Sequence, residues 1–189
     1  ESGTLWSNAF QPTLKPADHY EAIFSQGKVE FRRRDSEIET YTEIIVSPED
    51  DVEVRRIHFT NHSKRRRKIS VTTYCEVVIA MPASDSAHPA FSNLFVQTEI
   101  HEPQNAIVCS RRARSKEEHP PWLFHLVKVS GTEPVSVSYE TNRSLFIARG
   151  QTVVNPAALQ SDQPLSGSNG SVLDPIAAVQ YELILEQGA

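Results

Sequence analysis

Cysteine, methionine and glycine are scarce in this sequence, with two, one and seven residues respectively among 189. Two cysteines cannot build a disulfide framework, and Cys75 and Cys109 both fall inside strand-like runs, YCEVVIA and AIVCSRR. Such positions favour buried, reduced thiols over a disulfide. No cysteine–histidine pair has zinc spacing, and the seven histidines form no HExxH or HxH pair, so no metal site is expected. No apolar run approaches the ~20 residues of a membrane-crossing helix. The first residues lack the basic-then-apolar pattern of a secretory leader. The chain opens on Glu1 and its one methionine is Met81, as expected for a piece or processed form of a longer protein.

Walker and GxGxxG motifs are also missing, so no nucleotide cofactor is implied. The serine-rich GSNGS at 167–171 lacks the spacing of a nucleophile elbow and reads as a flexible turn. The acidic pairs Glu117-Glu118 and Asp50-Asp51 read as surface groups, and no two carboxylates stand out as an acid/base couple. The net charge is −5, yet basic clusters stand at 32–34 (RRR), 64–68 (KRRRK) and 111–114 (RRAR). Without interleaved aromatics or a known module, these read as solvated turns and charged edge strands, and nucleic acid is not an expected partner. HSKRRRK reads as a hairpin turn.

What the sequence has in abundance is alternation. KISVTTYCEVVIA sets Ile69, Val71, Cys75, Val77 and Ile79 against Ser70, Thr72, Tyr74 and Glu76. PVSVSYE and VQYELILE repeat the pattern, as do YEAIF, KVEFRR, IETYTEIIV, VEVRRIHFT, NLFVQTE, NAIVCS and WLFHLVKV. In VEVRRIHFT the apolar phase slips between Val54 and Ile57, which predicts a β-bulge at Arg55-Arg56. Helix signals are confined to one turn at Ser115–Glu118 and a short piece at Asn155–Leu159. Two irregular stretches, 81–92 and 150–175, interrupt the strands. About ten strands with almost no helix predict an all-β antiparallel sandwich, as a single domain over 1–189. Apolar content of 39% with 23% charged residues argues against disorder.

The segment YETNRSLFIARG, 139–150, concentrates planar polar groups beside aromatic ones, the combination that recognises sugars. Trp6, Glu140, Asn142, Arg143 and Arg149 are the candidate carbohydrate-binding residues. Trp122 and Tyr139 are of suitable type but read as core. Internal pairing of Arg143 or Arg149 with Glu140 or Asp174 has at least equal weight as a reading.

GTLWSNAFQPT, DDVEVRRIHFTNHSKRRRKISVTTYCEVVIA, HPAFSNLFVQTEI, RRARSKEEHPPWLFHL, YETNRSLFIARG and PLSGSNGSVLDPI follow one another in this order. Together they closely resemble the bacterial cyclic β-1,2-glucan synthases, in a region similar to the glycoside phosphorylases acting on cellobiose and chitobiose. The resemblance covers nearly the whole chain. It implies a supersandwich, a galactose mutarotase-like β-sandwich, that precedes a helical (α/α) barrel carrying the catalytic groups. The chain itself is then expected to be non-catalytic: it would position glucan or buttress the barrel, or be a purely structural interface module. The implied partners are a β-glucan oligosaccharide, the barrel of the same polypeptide and a second copy in a homodimer. The implied location is the cytoplasmic face of the bacterial inner membrane, within a polytopic parent. Asn142 stands where the resembling pattern has Asp, and Ala148 where it has Gly. The second departure removes easy access to positive φ and predicts a different loop there.

Overall fold

Every one of the period-two runs contributes a strand in the computed structural model, which describes residues 3–113 and 115–188. Among the described residues there are ten strands in three antiparallel sheets. The chain divides into two compact units, Glu1–Ile69 with Ile184–Ala189, and Ser70–Leu183.

The first unit is built on a four-stranded meander: β1 (His19–Ser25), β2 (Lys28–Asp35), β3 (Ile38–Val46) and β4 (Glu53–Asn61). Two-residue loops join the first three strands. Gly27, at φ 77°, closes one, and Ser36 and Glu37, both at positive φ, close the other in the geometry that matches strand twist. The outer face is charged, with Glu43 holding Arg56 and accepting from Lys28. The opposite face is covered by the segment before β1, where Asn8 donates to Thr42 at 3.0 Å.

Arg33, from the RRR cluster expected to be solvated, is only 1% exposed in that layer. Its guanidinium donates to both Asp35 oxygens, at 2.6 and 3.0 Å, and to the Lys15 carbonyl at 3.0 Å. The predicted bulge at Arg55-Arg56 does not occur, because β4 pairs with β3 residue for residue from Glu53 to Asn61. Val54 is instead an exposed apolar residue on the charged face, paired with Ile45.

HSKRRRK is not a hairpin turn, since β4 and β5 (Arg67–Glu76) belong to different sheets. The link is shaped by the fully buried Asn61. Its amide donates to the carbonyls of Arg65, Leu185 and Glu186, and its oxygen accepts from Ser63.

The second unit packs two three-stranded sheets face to face. One has the order β5, β10 (Pro175–Leu185), β9 (Ser136–Asn142). The other runs β6 (Val96–His101), β7 (Ala106–Arg111), β8 (Leu123–Leu126). Thr73 meets His125 at 2.8 Å and Thr98 meets Thr141 at 2.7 Å across the interface. β10 is central and buried nearly throughout, with Val179, Tyr181 and Leu183 following the predicted alternation. Cys109 is fully buried, Cys75 is half-buried, and neither is in a disulfide.

The stretch 81–92 is not irregular. It forms two short helices, α1 (Pro82–Ala87) and α2 (Pro89–Asn93), each opened by a proline at a position that needs no amide donor. Ser115–Glu118 makes a single turn, and Ala157–Leu159 a 3₁₀ turn.

Candidate functional site at the end of β9

The pairing of β9 with β10 is regular from Ser136 to Glu140. It then shifts, so that Pro175 faces Asn142 while Ala178 faces Glu140. One extra residue on β10 makes this a bulge, which takes backbone amides of β9 out of the ladder. Glu140 supplies what the ladder withdraws. Its Oε1 accepts from the amides of Thr141 and Asn142, each at 2.9 Å, and its Oε2 accepts from the Ser166 hydroxyl. At 2% exposure this carboxylate is structural in its contacts.

The neighbours of Glu140 tie down one loop. Tyr139 accepts at its carbonyl from Gly167, Thr141 donates its hydroxyl to the Ser168 carbonyl, and Ser138 accepts from the Leu165 amide. On the other side Gly170 exchanges both backbone hydrogen bonds with Thr98 of β6. The serine-glycine run, expected to be a flexible turn, is therefore a clamp that bridges the two sheets. Its glycines permit the bends, with Gly170 at φ 93°.

After β9 the chain turns into α3 (Arg143–Ile147). Asn142 caps it, accepting from the Ser144 amide at 3.0 Å and the Ser144 hydroxyl at 2.7 Å. Phe146 and Ile147 pack into a cluster with Leu165, Ile176 and Ala178, and Tyr74 lies against Phe146 with 5.2 Å between ring centroids.

Arg143 points back across β5. It pairs with Glu76 at 3.2 Å and Asp174 at 3.3 Å, and donates to the Tyr74 hydroxyl at 3.4 Å. Burial lifts the Tyr74 phenol above its ordinary value, and the bond to Tyr74 lifts the Arg143 guanidinium. The tyrosine is thus a neutral bridge beside a fixed cation. Of the pairings weighed for Arg143, that with Asp174 forms and that with Glu140 does not.

Ala148 keeps a positive φ of 65° with ψ of 168°, so the expected loss of that conformation on replacing glycine does not occur. Arg149 follows, exposed and with no partner among the described residues. Trp6 belongs to the other compact unit, where the Arg33 guanidinium lies 5.7 Å from its ring centroid. The structure therefore gathers Glu140, Asn142 and Arg143 into one cluster, leaves Arg149 exposed after α3 and places Trp6 in the other unit. Tyr74, Glu76, Ser166 and Ser168 complete the cluster and escaped sequence reading, because each lies in a distant run whose role depends on sheet order.

A family model, the supersandwich domain of glycosyl hydrolase 94, matches residues 1–189. The chain belongs to that family. This supersandwich is 34% identical over 179 residues to the cyclic beta-(1,2)-glucan synthase NdvB of Rhizobium meliloti, covering 95% of the chain and 6% of that protein. It is 29% identical over 191 residues to the cellobionic acid phosphorylase of Neurospora crassa, covering 22% of it. The solabiose phosphorylase of Paenibacillus borealis is 22% identical over 188 residues, and the chain covers 23% of it. In both phosphorylases the match takes in the full chain. The supersandwich therefore spans less than a quarter of each of these relatives.

Proposed function

We propose that this supersandwich is a non-catalytic accessory domain of a glucan-synthase-like protein, holding β-glucan for a catalytic (α/α) barrel in the same polypeptide and supporting that barrel. The observation that carries this reading is how the acids of the motif are used. Glu140 accepts three internal hydrogen bonds, and Glu76 and Asp174 face Arg143. None has the unsatisfied, substrate-facing geometry of a general acid or nucleophile. The relatives act in saccharide chemistry by their names, and the chain's match to them is the reason for choosing glucan as the ligand. No helix among the described residues is long and apolar enough to cross a membrane. A place at the cytoplasmic face of the inner membrane would come from other parts of a polytopic parent.

Calorimetric titration of the purified chain with linear and cyclic β-1,2-glucan, against cello-oligosaccharides, tests this. Saturable heat specific to the β-1,2 linkage, with no phosphorolysis or glucosyl transfer, is the expected result. Turnover by the chain alone would overturn it.

A second reading, a scaffold without sugar affinity, is favoured by one feature. The exposed Tyr20 and Phe24 lie against Phe31 on one face of the β1–β2 pair, a contiguous apolar patch of the kind that packs against other parts of a protein. A folded sample giving no heat with any glucan would select it.

A further inference from the structure

A strand at the end of a sheet carries backbone amides and carbonyls with no strand beyond them, and several of the end strands in this chain are blunted. β4 is studded with Glu53, Arg55, Arg56 and His58. β6 is bridged by Gly170, and β9 is tied to the loop at 165–168. β8 is only four residues long, and before it stands Trp122, expected in the core but 60% exposed. β1 has none of these protections. It runs for seven residues, HYEAIFS, and pairs with β2 residue for residue, without proline, lysine or bulge. All its residues but Ile23 are exposed.

The phase of the β1–β2 hairpin decides which groups face outward. Its two-residue loop, Gln26-Gly27, makes Ser25 and Lys28 the closing hydrogen-bonded pair, so Ile23 and Glu21 also bond to β2. The amides and carbonyls of Tyr20, Ala22 and Phe24 point the other way, and no described residue meets them. The side chains of the same three residues share one face with Phe31, the partner of Ala22. The Tyr20 and Phe24 rings lie 6.4 and 6.5 Å from that of Phe31.

We propose that β1 pairs antiparallel with β1 of a second copy of this chain, about a two-fold axis at Ala22, joining two four-stranded sheets into one. The strand is nearly symmetric about that residue. Tyr20 of one copy faces Phe24 of the other, His19 faces Ser25, and the small Ala22 meets its own counterpart on the axis. Each outward amide then donates to, and each outward carbonyl accepts from, a group across the axis. Charge agrees with this register. Glu21 faces Ile23 instead of a like charge, and Arg32 of its own chain lies 4.0 Å from it. An axis at Glu21 or Ile23 would oppose groups already bonded to β2, and one at Tyr20 or Phe24 would leave less than half of the strand overlapping. The pairing also merges the two Tyr20–Phe24–Phe31 patches on one side of the extended sheet, where aromatic pairs across strands add to the backbone bonds. A two-fold contact of this kind closes on itself and stops at a dimer. It does not depend on whether the chain holds glucan.

Sedimentation velocity of the wild-type chain between roughly 1 and 100 µM should show a monomer–dimer equilibrium. Ala22→Pro removes one outward amide without touching the β2 ladder and should weaken the dimer about tenfold or more. Tyr20→Lys combined with Phe24→Lys sets cations against each other and should abolish it. Phe124→Lys, on β8, should dimerise as the wild type does. Circular dichroism checks that each variant is folded. Residue-resolved hydrogen exchange on the wild type needs no variant: the Ala22 and Phe24 amides should gain protection as concentration rises, while that of Ile23 is protected throughout. A wild type that stays monomeric to the top of this range would overturn the proposal, as would a dimer that the folded double variant retains. Concentration-dependent protection away from β1, or loss of the dimer in Phe124→Lys, would place the contact elsewhere and overturn it too.

Discussion

Replacing Glu140 by alanine isolates what the carboxylate contributes. Three donors lose their acceptor: the amides of Thr141 and Asn142 and the hydroxyl of Ser166. They differ in what they can find instead. Ser166 already lies 2.9 Å from the Ser168 hydroxyl and can turn toward it. Thr141 is fully buried, so its amide, left out of the ladder by the bulge, has no route to water. An unsatisfied buried donor costs about 1–3 kcal/mol, and the half-buried Asn142 amide adds a smaller loss. Glu140→Ala should therefore cost roughly 2–4 kcal/mol. For a chain of this size that is a fall in Tm of roughly 5–15 °C. Glu140→Gln keeps one oxygen for both amides and offers an NH₂ to Ser166, so it should cost only about 1 kcal/mol, the difference between a charged and a neutral acceptor. Denaturant unfolding followed by circular dichroism measures both. If Glu140→Ala stayed within about 1 kcal/mol of wild type, the Thr141 amide would have found another acceptor and the clamp would be incidental. If the glutamine were as damaging as the alanine, the negative charge rather than the acceptor geometry would be what the fold requires.

Ala148→Gly should stabilise the chain by about 1 kcal/mol, since φ 65° with ψ 168° is a conformation that glycine adopts and alanine resists; a drop in Tm would contradict this. Arg33→Ala should be among the most damaging changes, about 3–5 kcal/mol, because it strips the partner from Asp35 and the donors from the Ala9 and Lys15 carbonyls, and equilibrium unfolding would detect it. The Cys109 thiol is pushed up to about 12 by burial, so a thiol reagent at mild pH should count at most one cysteine in the native chain and two in denaturant. Burial also pushes Tyr181 up to about 12 from an ordinary 10. A raised folded pKa is a stabilising contribution that is complete below pH 10 and lost as pH climbs toward 12, so stability should fall across that window while ultraviolet titration shows Tyr181 among the last phenols to ionise.

How much of this was legible in the sequence depended on whether a residue's partner was local. The strands were legible because alternation is a local property: Val179, Tyr181 and Leu183 stand on the side their spacing assigns. Asn61 and Arg33 were not, because both look like turn and surface residues until sheet order brings Leu185 to one and the segment before β1 over the other. The bulge was read at the wrong strand for a related reason. A phase slip at Val54 and Ile57 can mean an inserted residue or one exposed valine, and only the pairing with β3 separates them. Trp122 was misplaced because an apolar strand start looks the same whether its strand is central or at an edge, and β8 is an edge.

The two departures of this chain from the resembling pattern bear on what the segment at the end of β9 does. If position 142 made its contribution through charge, an aspartate there would be needed against a cation, yet among the described residues the Asn142 side chain meets Ser144 alone, as a cap that asparagine and aspartate serve equally well. If position 148 required glycine for its backbone angle, alanine would have reshaped the loop, yet the backbone retains a glycine-like angle. In both cases the geometry of the chain persists while the chemistry of the side chain changes. Arg143 fits the same logic, since its guanidinium faces two carboxylates and a phenol. A segment that preserves backbone shape and consumes its own polar groups is built to hold two sheets and a loop in register.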